Sequence, residues 1–261
     1  MPLDIDNEAL IIPPDDTKLW RYMDIPAFIF LISKQQLTFA RADLFEDRFE
    51  GIIPEGTAAA MNIWANTEIK EGRLKSGMGY ENLSELLNTV NKKAYISCWC
   101  KENHEMVHMW KIYSKPNGVC IETTYKDLID SCDLEDESIV ATEVKYVDFK
   151  NHVYSYNGNP ISVFTMKRKE YKSESEFRLI MRTNKSTSDY LGTLLHDHEF
   201  RNKEEIRIYN STPVLYCNVN TKQLIHKIHL SPYAPAWYID VITNLINAFN
   251  LSGKQILRSE L

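Results

Sequence analysis

Glycine and proline are scarce, at 9 and 10 of 261 residues, which excludes collagen-like, linker-dominated and disordered organisation. Long apolar runs are missing as well. The longest near the N-terminus, Ile25–Ile32, falls far short of the roughly 20 residues that span a bilayer, so no membrane role is expected. The opening MPLDIDNEALIIPPDD is acidic where a secretory signal would be basic, and it has no small-residue cleavage site. A cytoplasmic protein is therefore expected. Positive charge is in deficit, with 30 Lys and Arg against 36 Asp and Glu and a formal net charge of −6. A nucleic-acid partner is not favoured, because a local basic patch would have to work against the overall field. The five cysteines (Cys98, Cys100, Cys120, Cys132, Cys217) are odd in number and sit mostly in apolar runs. Reduced structural thiols suit them better than a disulfide framework. The sequence also lacks G-x-G-x-x-G, a phosphate loop, H-E-x-x-H, G-x-S-x-G and paired C-x-x-C, which removes several common enzyme classes.

What is present is a 44% hydrophobic chain, long enough to bury a sizeable core. No repeat or linker divides it, so one domain over 1–261 is expected. Asp24 is a good N-cap for a helix over Ile25–Lys34, with Pro26 in the first turn. Leu19–Tyr22 and Leu37–Arg41 read as flanking strands. Thr57–Gly72 and Glu81–Lys92 read as helices, the second from Leu83, Leu86, Leu87 and Val90, giving a helical insertion at 57–93. Ala94–Cys100 reads as a strand, followed by a helix through Met109, Trp110 and Tyr113 that Pro116 and Gly118 end. Further strands are predicted at Gly118–Thr123, Ile139–Val147, Glu176–Met181, Val214–Val219, Leu224–Leu230 and Gln255–Arg258, with a helix after Pro235. The pattern predicts an α+β fold with a largely antiparallel sheet.

Polar residues set in apolar strands invite explanation, since burying them without partners is costly. Arg21 lies in Leu19-Trp20-Arg21-Tyr22 and could hold a phosphate or carboxylate. The loop Phe45–Glu50 is expected to be fixed by ion pairs around Arg48. Cys98, Cys100, His104 and His108 superficially resemble a Cys₂His₂ set, but strand thiols and helix histidines need not converge, and no metal is expected. Glu174, Glu176 and Arg178 alternate, which on one strand puts all three on one face, either a solvated edge or the polar wall of a cleft. The neighbouring run Lys167–Lys169 with Lys172 reads as a local cationic stretch. Together with Tyr171 and Trp99 it carries the alternative of a nucleic-acid-processing protein. A non-enzymatic interaction module is the other alternative.

The ordered segments Trp20-Arg21-Tyr22, Phe45-Glu46-Asp47-Arg48-Phe49-Glu50, Ile96-Ser97-Cys98, Met109-Trp110-x-x-Tyr113 and Tyr171-x-x-Glu174-x-Glu176-x-Arg178 resemble a large bacterial family known only as a domain of unknown function. The likeness covers about residues 17–259. Arg48 stands where that family commonly has a proline. The order Arg21, Ser97, Glu174-Ser175-Glu176 also shows a distant similarity to mono-ADP-ribosyltransferases of the Arg-Ser-Glu type. That similarity implies NAD as substrate and an unidentified acceptor, in the setting of a bacterial toxin or phage-defence effector. It implies that Glu176 is the ribose-side carboxylate and that Glu174 orients or deprotonates the acceptor. Arg21, Tyr22, Ser97 and Arg178 would then form the NAD site, with Trp110 or Tyr113 stacking on a ring of the ligand. Such a set suits glycosidic cleavage, in which a carboxylate stabilises developing positive charge.

Overall fold

A computed structural model describes residues 10–73, 94–114, 116–133, 138–154, 160–182 and 212–261. Eleven strands are found among them: β1 Lys18–Met23, β2 Gln36–Arg41, β3 Ala94–Cys100, β4 Val119–Thr124, β5 Ser138–Glu143, β6 Lys145–Val147, β7 Met166–Arg168, β8 Glu176–Arg182, β9 Val214–Asn218, β10 Lys227–Leu230 and β11 Gln255–Arg258. The helices are α1 Ile25–Lys34, α2 Glu55–Lys70, the short α3 Val107–Met109 running into a π turn at Trp110–Ser114, α4 Tyr125–Ser131, α5 Thr221–Leu224 and α6 Tyr238–Ala248. Nine strands form one mostly antiparallel sheet, in which only β10 and β11 run parallel, and β6 and β7 form a small parallel pair. The fold is α+β, as the sequence pattern predicts.

Strand alternation sorts side chains to two faces. Leu19, Tyr95, Trp99, Ile121, Phe177, Leu179 and Ile228 build the larger core with Phe28 and Ile32 of α1, Leu128 of α4 and Ile242 of α6. The opposite face carries two smaller clusters. One is Ile96, Val140, Val163, Phe164 and Ile180, with Ala58 of α2. The other is Trp20, Tyr22, Cys100, Met109, Trp110 and Cys120. Asp24 caps α1 by accepting from the Ala27 N–H at 3.1 Å, a contact that contributes about 1 kcal/mol.

The sheet forks at β3. One edge of β3 pairs along its whole length with β8, from Ala94↔Arg182 to Cys100↔Glu176. The other edge is shared: β1 meets it at Trp20↔Cys100, and β2 meets it at Ala40↔Ile96 and Arg41↔Tyr95. Between those contacts β1 and β2 diverge, and the opening is filled by side chains rather than by a backbone ladder.

Several expectations need correction. The predicted strand Ile139–Val147 breaks at Val144, whose N–H bonds the Glu176 carbonyl at 2.9 Å. Lys145–Val147 then leaves the main sheet for β7. The strand predicted from Leu224 starts at Lys227, because Asn220 accepts from the Lys222 and Gln223 N–H groups and starts α5. Glu174 is not on the strand with Glu176 and Arg178. It ends a 3₁₀ turn, Lys169–Glu174, and Ser175 follows with a left-handed φ of 43°. Of the helical insertion expected at 57–93, the first helix is present as α2. The second, Glu81–Lys92, lies outside the described residues. No described helix is long and apolar enough to cross a membrane.

Candidate binding cleft

Arg21 projects from β1 into the fork. Its Nη1 donates to the Ser97 Oγ of β3, and its Nη2 donates to the Thr38 carbonyl and Oγ1 of β2 at 3.4 and 3.0 Å. A guanidinium has five N–H donors. Three are used here, which leaves Nε and one Nη1 hydrogen for another partner. Among the described residues no carboxylate pairs with Arg21; its remaining neighbour is the Trp99 ring, 5.5 Å from the guanidinium carbon. Partial burial pulls its pKa down to about 10, so it stays charged at neutral pH. A cation withdrawn from water without a counter-ion is costly, and an anionic ligand would relieve that cost. Arg21 lines a cavity of about 280 Å³ with Tyr22, Asp24, Gln36, Thr38 and Tyr113.

Tyr113 forms the far wall. It lies in the π turn, a helical irregularity that often marks functional sites. Gly118 permits this geometry, because a Cβ there would collide with the Ser114 carbonyl. Tyr113 is half exposed, and its Oη donates to Glu174 Oε1 at 3.4 Å. Burial raises its phenol pKa, and Glu174 adds to the shift. Tyr113 therefore joins the Arg21 cavity to a cluster of buried charges.

In that cluster the Lys167 Nζ donates to Glu174 Oε2 at 2.6 Å and to Glu176 Oε2 at 3.0 Å. Arg178 spends all five donors: Nε on Glu176 Oε1 at 2.7 Å, Nη1 on Glu50 Oε1 and the Phe164 carbonyl, and Nη2 on Glu50 Oε2 and Glu176 Oε2. Burial alone would push the Glu176 carboxyl up, but Arg178 and Lys167 outweigh it and hold the group at about 2. Burial also works against the charge on Lys167, yet Glu176 and Glu174 keep its pKa above the ordinary lysine value. Three carboxyl groups face two cations here; burial raises the pKa of Glu50 against the pull of Arg178, and Glu174 is the one that meets Tyr113. Cys98 sits between the cluster and Arg21; burial and Glu176 push its thiol well above the ordinary value.

The structure thus brings Arg21, Ser97, Tyr22 and Tyr113 together at the fork and links Glu174 to it through Tyr113, whereas Glu176 and Arg178 stand on β8, across β3 from the fork. Both are buried rather than exposed as a solvated edge. Trp110 does not offer a stacking surface. It is fully buried, donates from Nε1 to Glu105 Oε2 at 2.9 Å, and packs edge-on against Tyr22 at 5.0 Å. The loop Phe45–Glu50 is fixed by long-range pairs rather than around Arg48: Asp47 binds Arg168 at 2.8 Å and Glu50 binds Arg178. Arg48 instead lies over the Phe49 ring. The expected cationic stretch is neutralised internally, since Lys167, Arg168 and Lys169 pair with Glu174 and Glu176, Asp47 and Asp148 respectively. No group of three or more His, Cys, Asp or Glu among the described residues is arranged to hold a metal ion. Sequence reasoning missed Thr38, which lines the cavity and accepts from Arg21, and the bridging role of Lys167. The Thr38 hydroxyl inside an apolar strand was the available signal for the first.

Comparison with protein-family models, with curated proteins and with solved structures returned no match.

Proposed function

We propose that the fork binds NAD and that the protein is an ADP-ribosyltransferase-like enzyme. The observation that carries this reading is Arg21, which faces a cavity with two unspent donors and no counter-ion among the described residues. Its natural complement is a phosphate-bearing ligand, because a guanidinium fork matches phosphate oxygens. The Glu174 carboxyl across Tyr113 complements the other end of the same ligand, where the nicotinamide ring is cationic. A dinucleotide with a cationic ring satisfies both ends; a long polyanion does not.

In this reading the bond from nicotinamide to C1′ of its ribose breaks, and its electron pair stays on the ring nitrogen. The acceptor's nucleophile forms the new bond at C1′ and passes its proton to Glu174. The contact of Glu174 with Tyr113, which lines the cavity, supports that role. Glu176 is held by Arg178 and Lys167 and supplies negative potential behind the reacting ribose. Tyr113 borders the ring end of the ligand.

Nicotinamide release from labelled NAD by the purified protein tests this proposal. Release by the wild type that is lost in Glu174→Gln, with an unchanged melting temperature, supports it. A wild-type protein that neither binds nor consumes NAD overturns it.

A further inference from the structure

Cys132 caps the C-terminus of α4, and Cys217 lies on β9. An antiparallel bridge joins Cys132 to Val219, and the Asp133 N–H donates to the Asn218 carbonyl at 2.8 Å. Residues 217 and 219 share a strand face, so the Cys217 side chain is directed towards α4. The Cys132 Sγ donates to the Leu128 carbonyl at 3.2 Å and the Cys217 Sγ to the carbonyl of Asp133, the residue after Cys132, at 3.6 Å; the neighbouring Cys217 and burial push the Cys132 thiol above its ordinary pKa. Cys217 is buried, whereas Cys132 is partly exposed and lines an open cavity of about 800 Å³ with Asp130, Asp133, Asn218 and Asn220. A small oxidant can therefore reach one thiol while the second waits beside it. The other cysteines offer no comparable pair. Cys100 on β3 and Cys120 on β4 are kept apart by β1, which pairs between them through Trp20↔Cys100 and Tyr22↔Cys120.

The position matters to the fork. β4 pairs with β1 along its length and leads directly into α4, whereas β9 pairs with β2 from Gln36↔Asn218 to Ala40↔Val214. β1 and β2 are the walls of the Arg21 cleft and share no ladder with each other. We infer that Cys132 and Cys217 form a reversible disulfide that staples the β1–β4 side of the fork to the β2–β9 side. With a peroxide as oxidant, the Cys132 sulfur is first oxidised to a sulfenic acid with release of water. The Cys217 sulfur then attacks it, the S–S bond forms, and a second water leaves. Overall, two thiols lose two protons and two electrons, and a dithiol reductant restores them.

The test treats the purified full chain with hydrogen peroxide and maps its cysteine peptides by mass spectrometry after alkylation in denaturant. The expected result is one cross-linked peptide pair joining Cys132 to Cys217. The melting temperature is expected to rise by about 5–10 °C, as closing so long a loop suggests. Dithiothreitol should reverse that rise, and Cys132→Ser and Cys217→Ser should each abolish it. Mapping on the wild type decides the matter even if a variant folds poorly. Both thiols remaining alkylatable, oxidation of Cys132 to sulfinic acid without a link, or a link through another cysteine would each overturn the inference.

Discussion

Two arginines flank β3 and meet opposite fates. Arg178, fully buried, spends five donors on Glu50, Glu176 and the Phe164 carbonyl, and those carboxylates keep its guanidinium well above its usual pKa. Arg21, partly buried, has only neutral partners among the described residues and is shifted the other way, to about 10. A buried cation whose every donor is matched is part of the scaffold. One left short of a counter-ion among the described residues, beside a cavity, is the group that the proposed ligand would pair with. The contrast separates structure from function within a single sheet, and it rests on hydrogen-bond and charge accounting rather than on residue type.

The largest effect that would sharpen the contrast is expected from Arg178→Met. Removing one partner strands Glu50 and Glu176 in the interior, so urea denaturation should show a loss of about 3–5 kcal/mol. A loss below about 1 kcal/mol would erase the distinction between the two arginines. Acid provides the next test. The folded pKa of Glu176 is depressed to about 2 from an ordinary 4.5. Its contribution is therefore present above about pH 4.5 and disappears as pH falls towards 2, at a cost of about 3 kcal/mol. The pH dependence of the denaturation midpoint should show this dependence in the wild type and lose it in Glu176→Gln. Asp24→Ala removes the cap of α1 on the cleft side and should cost about 1 kcal/mol without altering the charge cluster. Arg21→Met should change stability least, by under about 1 kcal/mol, because lost hydrogen bonds to Ser97 and Thr38 are offset by relief of an unpaired charge. A large loss of stability there would make Arg21 a second scaffold residue.

Local chemistry in the sequence accounts for much of the fold. Asp24 and Pro26 mark the start of α1, and the alternation Phe177, Leu179, Met181 against Glu176, Arg178, Ile180 marks β8 and its two faces. α4 was equally legible and overlooked: Thr124 and Asp127, three residues apart, form a cap in which Thr124 accepts from the Asp127 N–H at 3.2 Å. The fork was not legible. It depends on how β1 and β2 divide one edge of β3, and no local pattern encodes that division. The same holds for the partners of the cluster. Glu50 reaches Arg178 across 128 positions, and Asp47 reaches Arg168 across 121, so the sequence marked those segments as polar without showing what they bind. Arg21 and Ser97, 76 positions apart, were paired only through a resemblance in order, and the fork now supplies the contact. Trp110, prominent as an aromatic beside Tyr113, turned out to support Tyr22 from within the core.

The central claim is that Arg21 is held in reserve for an anionic ligand. Calorimetric titration of NAD into the wild-type protein and into Arg21→Met, at low and at physiological salt, tests it most directly. Saturable binding by the wild type that weakens with salt and vanishes in a variant of unchanged melting temperature is the predicted result. Equal binding by both proteins, or none by the wild type, would contradict it.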